Sequence, residues 1–188
     1  RTYRFISGPI WIGLALSISS FFLYFLTLAP TLSWGWHENG ADGGELLVAA
    51  KTLGIPHPPG YPTYTLLLKC FASIFPFGDY AYRGNLLSAI LAAISIFLLY
   101  LIILRLCLWI KPDTPIWLSI SSSALGGVAF GTTPLLWSQA VITEVYTLNV
   151  FFSSMLILIA SHVAIHLPAD RNRTEPQHGK LALFGLVL

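Results

Sequence analysis

Four stretches of this chain, about 9–28, 84–104, 116–136 and 146–167, are apolar and carry no Asp, Glu, Lys, Arg or His in their middle portions. A helix needs roughly 20 apolar residues to cross a hydrocarbon core about 30 Å thick. Inside that core a segment must satisfy its own backbone polar groups, which a helix does. The pattern therefore predicts an all-α, polytopic membrane protein. Composition agrees. Charged residues make up 10% of the 188, against about 25% in an ordinary soluble domain, and the mean hydropathy is +0.73. The first stretch is too long for a signal-peptide core and is expected to stay as a helix. A fifth apolar run from 181, KLALFGLVL, is too short to cross. The expectation is that the chain is the N-terminal part of a longer protein.

Charge placement gives the expected orientation. With the N-terminus in the cytoplasm, seven basic residues lie inside: Arg1, Arg4, Arg105, Lys111, Arg171, Arg173 and Lys180. Three lie outside: Lys51, Lys69 and Arg83. Lysine and arginine favour cytoplasmic loops, so residues 30–82 form an external loop, periplasmic, extracellular or lumenal. Two short helices are expected in it, one starting near Asp42 and one over 63–75. Both are too short to span comfortably and read as re-entrant or interfacial. The net charge of +2, with dispersed basic residues, does not suit a nucleic-acid partner. Cys70 and Cys107 have no metal-like spacing and read as buried small hydrophobes. The GGVAFG run of the third stretch permits close helix contact.

The external loop holds the candidate chemistry. Asp42 and Glu45 are three apart, so on a helix they share a face and can address one bound group. The same spacing also fits a capping box, with Asp42 as cap and Glu45 as its reciprocal partner. Gly43 and Gly44 between them allow close approach of a ligand. His57 lies among Pro56, Pro58 and Pro59, which restrict its backbone. It is either a turn histidine or a group that binds phosphate or moves a proton. Arg83 and Asn85 open the second long stretch. The guanidinium either snorkels to the interface or binds a phosphate. Glu144, before the fourth stretch, either sits on a helix N-terminus or joins the first-loop acids in one pocket. His162 and His166 are four apart with no third ligand nearby, so no metal site is expected.

Four segments in order, TLAPTLSW, DGGELLVAAKTLGIPHPPGYPTYTLL, YRGNLLSAILAA and LLWSQAVITEVYTLN, resemble a family of GT-C-like membrane glycosyltransferases. That family was formerly classed as a domain of unknown function and includes an animal transmembrane O-mannosyltransferase. The resemblance runs from about 27 to 149. It implies an N-terminal GT-C-like helical module and transfer of a sugar, mannose being the example, from a polyprenyl-phosphate donor. The acceptor would be a hydroxyl of a protein or glycan at the outer membrane face. It implies catalytic roles for Asp42 and Glu45, which match the family's Asp-x-Gly-Glu motif. It also implies substrate-binding roles for His57, Tyr61, Arg83, Asn85 and Glu144. No cofactor is required by the sequence, although some such enzymes use a divalent cation. Two features depart from the family: residues 35–41 lengthen the approach to the acid motif, and the chain is shorter than a full enzyme. A rival reading is a non-catalytic transmembrane subunit of a larger membrane complex. A transporter would place ionisable residues within the spans, and here their middle portions have none.

Overall fold

The computed structural model describes residues 7–33 and 42–166. The stretch 35–41 and the run from 181 lie outside the described residues. Among the described residues the protein is all-helical, as the apolar pattern requires. The helices are α1 (Ser7–Leu26), α2 (Gly43–Thr52), α3 (Pro62–Ile74), α4 (Tyr80–Ile110), α5 (Ile116–Gly131), α6 (Pro134–Ala140) and α7 (Tyr146–His166). Three of them, α1, α4 and α7, are long and apolar enough to cross a membrane. This is a helical membrane protein.

Helix α4 is the axis, and it packs against all six others. Its apolar window is 61% buried, against 22% for α1 and 17% for α7. A helix apolar on every side is expected at the centre of a bundle. Small residues let the neighbours approach. A Cβ on Gly127 would lie 2.5 Å from Leu16 of α1, and one on Gly126 would lie 2.5 Å from Ile103 of α4. Side-chain hydroxyls bond across the helices where no water can serve them. Ser17 Oγ donates to the Ala93 carbonyl at 2.7 Å, and Tyr100 Oη to the Pro9 carbonyl at 2.8 Å.

Helix boundaries differ from hydropathy alone. The second expected stretch, 84–104, is extended at both ends into the 31 residues of α4. Asp79 caps its start, accepting from the Tyr82 N–H at 2.6 Å. The third expected stretch, 116–136, is divided. The α5 helix ends at Gly131, and Thr133 with Pro134 starts α6. A proline at the first helical position, behind a threonine cap, is a strong helix start. Cys70, expected buried, is exposed. The buried face of α3 is Tyr64, Thr65, Leu68 and Ala72, and two residues beyond Leu68 is the opposite side of a helix.

This topology gathers one end of the bundle. The turn after α1, the α2–α3 pair, the start of α4, the end of α5, α6 and the start of α7 meet there. The Ala29 N–H donates to the Val141 carbonyl at 3.0 Å, and Tyr24 Oη to the Gly131 carbonyl at 2.6 Å.

Candidate functional site

The acid motif begins helix α2. Asp42 occupies the N-cap position and Glu45 the first turn. The capping-box reading fails. Asp42 has helical backbone angles (φ −88°, ψ −15°) and its side chain accepts no capping bond. Glu45 turns instead to His57. Its Oε1 accepts the His57 backbone N–H at 2.7 Å, and its Oε2 lies 2.8 Å from His57 Nδ1. That contact puts a proton on Nδ1 and aims the other ring nitrogen, Nε2, at Asp42 Oδ2, 3.6 Å away. This is longer than a hydrogen bond. The order is therefore Glu45, His57, Asp42, with the histidine between two carboxylates.

Charge follows this geometry. The hydrogen bond from His57 holds Glu45 below the usual carboxylate range. The same bond, aided by the charges of Asp42, Glu45 and Glu144, raises His57 above the ordinary imidazole value despite some desolvation. Tyr61 closes the cluster, its ring edge-to-face on His57 with centroids 5.5 Å apart. It does so from a left-handed backbone conformation at the N-cap of α3 (φ 41°), which costs a non-glycine residue about 1–3 kcal/mol.

On its other side Asp42 lines a cavity of about 500 Å³. Its polar wall also includes Thr133, Gln139, Glu144, Tyr146 and Asn149, and its apolar wall is Phe130, Leu135, Leu136 and Val150. Glu144 is 2% exposed. Burial, and secondly the charge of Asp42, push its carboxyl up to about 7, while the backbone N–H groups of Val145 and Asp42 act in the opposite sense. The two readings of Glu144 thus coincide: it sits at the start of α7 and it shares a cavity with Asp42. Its Oε2 is buried without a partner, and so is Oε1 of Gln139.

Asn85 and Arg83 do not line this cavity. Asn85 Nδ2 donates to the carbonyls of Ala29 and Thr31 at 2.9 and 3.1 Å, and its Oδ1 accepts from Thr143 at 2.7 Å. It therefore ties the turn after α1 to the segment carrying Glu144. Arg83 donates to four carbonyls, those of Ala72, Pro76, Phe77 and Gly78, at 2.8 to 3.3 Å. It closes the α3–α4 connection. Close backbone approach fixes the site. A Cβ on Gly43 would lie 2.9 Å from the Thr143 carbonyl oxygen, so α2 begins pressed against the residue preceding Glu144. Among the described residues, no group of three or more His, Cys, Asp or Glu side chains is arranged to hold a metal.

Sequence reasoning missed Gln139, Asn149, Tyr146 and Thr133. Gln139, Tyr146 and Asn149 lie in the WSQAVITEVYTLN segment, whose density of polar residues around Glu144 was the available signal; Thr133 lies before it.

Residues 42–187 match the family described as the protein O-mannosyl-transferase TMEM260 N-terminal domain. The chain belongs to this family. It is 34% identical over 183 residues to protein O-mannosyl-transferase TMEM260 of Mus musculus, covering 95% of this chain and 22% of that protein. It is 31% identical over 146 residues to the protein of the same name from Dictyostelium discoideum, covering 77% of this chain and 16% of the relative. The chain thus spans about a fifth of the length of these relatives. No solved structure matches it. The match begins at Asp42, and the family segment contains Glu45, His57, Gln139 and Glu144.

Proposed function

We propose that this chain is the N-terminal, multi-pass module of a GT-C-type membrane glycosyltransferase. It transfers a hexose, mannose on the strength of the relatives' names, from a polyprenyl-phosphate donor to an acceptor hydroxyl of a protein or glycan. The reaction takes place at the periplasmic, extracellular or lumenal face, with the N-terminus in the cytoplasm. The observation that carries this reading is the position of Asp42, between a histidine oriented by Glu45 and a cavity shared with the buried Glu144.

The acceptor oxygen attacks the anomeric carbon, a new C–O bond forms, and the bond from that carbon to the phosphate oxygen breaks. The hydroxyl proton passes to Asp42, and polyprenyl phosphate departs. General-base assistance of this kind contributes about 10²–10⁴-fold. His57, cationic between its two carboxylates, keeps the Nε2 proton available to the departing phosphate and offsets its charge. Glu45 acts through His57 by setting its tautomer. Arg83 and Asn85 act through the frame that presents the site.

The apolar wall supports a lipid-linked donor. Phe130 and Val150 belong to helices α5 and α7, which expose Leu125, Val128, Leu156 and Ile159 farther along, and Leu135 of α6 is itself exposed. The exposed Leu53, Ile55, Leu66, Ile74 and Phe77 of the α2–α3 region fit a hairpin lying in the membrane interface.

The test is Asp42→Asn in the complete protein. Transfer of hexose from a polyprenyl-phosphate donor should fall by about 10²-fold or more while the thermal unfolding midpoint stays the same. Full transfer by a folded Asp42→Asn protein would remove Asp42 as the base, whereas no transfer by the folded wild-type protein would move the reading to a non-catalytic transmembrane subunit.

A further inference from the structure

The cavity beside Asp42 has an uneven chemistry. Two of its wall groups, Gln139 (6% exposed) and Glu144 (2% exposed), each bury a side-chain oxygen with no partner among the described residues. Buried polar atoms are nearly always hydrogen-bonded, and leaving one unpaired is costly. An amide oxygen accepts and cannot donate. The partner missing at Gln139 is therefore a donor, an O–H or N–H group. Beside it stand Asn149, Thr133 and Asp42, which accept hydrogen bonds as well.

Among the described residues, the same wall carries no cation. The basic residues of this end of the bundle are engaged elsewhere. Arg83 donates to four carbonyls, Lys69 Nζ donates to the Lys51 carbonyl at 2.6 Å, and Lys51 Nζ stands over the Tyr80 ring, 5.8 Å from its centre. With two carboxyl groups and no basic side chain on its wall, the cavity disfavours a phosphate. Its volume of about 500 Å³ falls within the range of small-molecule sites, roughly 300–1,000 Å³.

We propose that the cavity between α5, α6 and α7 is the subsite for a neutral, hydroxyl-rich ring, a hexose, whose hydroxyls donate to Gln139 Oε1 and Glu144 Oε2. The phosphate of a donor lies outside it, on the His57 side of Asp42. Gln139 becomes a specificity residue for the sugar. The biological substrate rests on the glycosyl-transfer reading above; the hydroxyl preference of the cavity does not.

Two measurements on the complete, detergent-solubilised protein separate these ideas. In the first, methyl α-mannoside should raise the thermal unfolding midpoint in a saturable way. Glycerol at equal osmolarity controls for general stabilisation by excluded solutes. Inorganic phosphate, whose place is on the His57 side, should leave the mannoside shift unchanged. Gln139→Met, close in volume, should lose the mannoside shift while keeping its unliganded midpoint. In the second, kcat/KM is compared for polyprenyl-phosphate mannose and its singly deoxygenated analogues. A site built to bind a hydroxyl rejects the analogue lacking it strongly, by about 10²-fold or more. That discrimination should collapse in Gln139→Met for one ring position.

A saturable phosphate shift without a mannoside shift overturns the proposal, whether or not Gln139→Met folds. So does a deoxy-sugar profile identical in wild type and variant. Mannoside binding in a protein that transfers no sugar would leave this subsite standing and remove the transferase reading. Transfer without any Gln139-dependent sugar preference would do the reverse.

Discussion

A carboxyl enclosed by the fold, as at Glu144, loses more on leaving water than two backbone N–H groups return, and its proton affinity rises. The sign of the effect on stability follows. Because the folded-state value, about 7, exceeds the ordinary 4.5, the folded protein holds a proton that the unfolded chain releases. Stability is highest below pH 4.5 on this account and declines as pH rises toward 7, by roughly 3 kcal/mol at most. Glu144→Gln should flatten that slope, as read by unfolding midpoints at pH 5, 6 and 7.5. An unchanged slope in the variant would assign it to another group. The exposed Glu45–His57 contact titrates with the opposite limits. Its contribution is lost as pH falls below 4.5, where Glu45 protonates, and as pH rises through the elevated His57 value, above 6.5. Amide exchange over residues 53–61, corrected for intrinsic rate, should be slowest between those limits. Glu45→Gln should abolish the minimum, and a flat wild-type profile would rule out a stabilising Glu45–His57 contact. Asp42, Glu45 and His57 were legible in the sequence because charged groups are scarce and close together in it. Gln139 was not. A neutral amide in a short polar return carries no charge signature, and only the folding of α6 makes it buried.

Elements meet at this end of the bundle through side chains that never reach the cavity. Arg83 is the clearest case. Its planar fork bridges carbonyls of the α3 end and the 76–78 turn, which a lysine ammonium, a point charge, does not reproduce. Arg83→Lys should lower stability by about 1 kcal/mol with the donor KM unchanged. A raised KM at unaltered stability would put the guanidinium on the phosphate instead. The sequence showed an arginine at a helix start. It did not show that four carbonyls converge there, since that depends on how the chain turns at Gly78, which has φ 71°. Helix ends were blurred for a related reason. A hydropathy window averages over Thr132, Thr133 and Pro134, so the break between α5 and α6 disappeared into one expected segment, although the Thr-Pro pair marks it locally. The start of α4 was placed late because its first turn, YAYR, is not a run of aliphatic residues, and the Asp79 cap extends the helix across it.

At the scale of the whole molecule, everything leans on α4, and the smallness of the α5 glycines sets how near its neighbours can come. Gly127→Leu would drive a side chain into Leu16 and Ile96. Overpacking of this kind costs about 1–3 kcal/mol. The expected result is a lower unfolding midpoint and loss of the Asp42-dependent transfer, because α5 delivers Phe130 to the cavity. A variant as stable as wild type would show that the contact is loose. The all-α class and the apolar helices were legible because bilayer physics leaves few alternatives. The central place of α4 was not, since an apolar sequence looks the same facing lipid or protein. Helix α5 is short for a membrane helix. Sixteen residues make a rod of about 24 Å, several ångströms short of a hydrocarbon layer about 30 Å thick. Were α5 to cross a bilayer, local thinning beside it is one way such a mismatch is met, and the headgroup plane would then dip near the mouth of the cavity. A lipid-borne substrate would then come down to the protein, rather than be lifted out of the membrane to meet it.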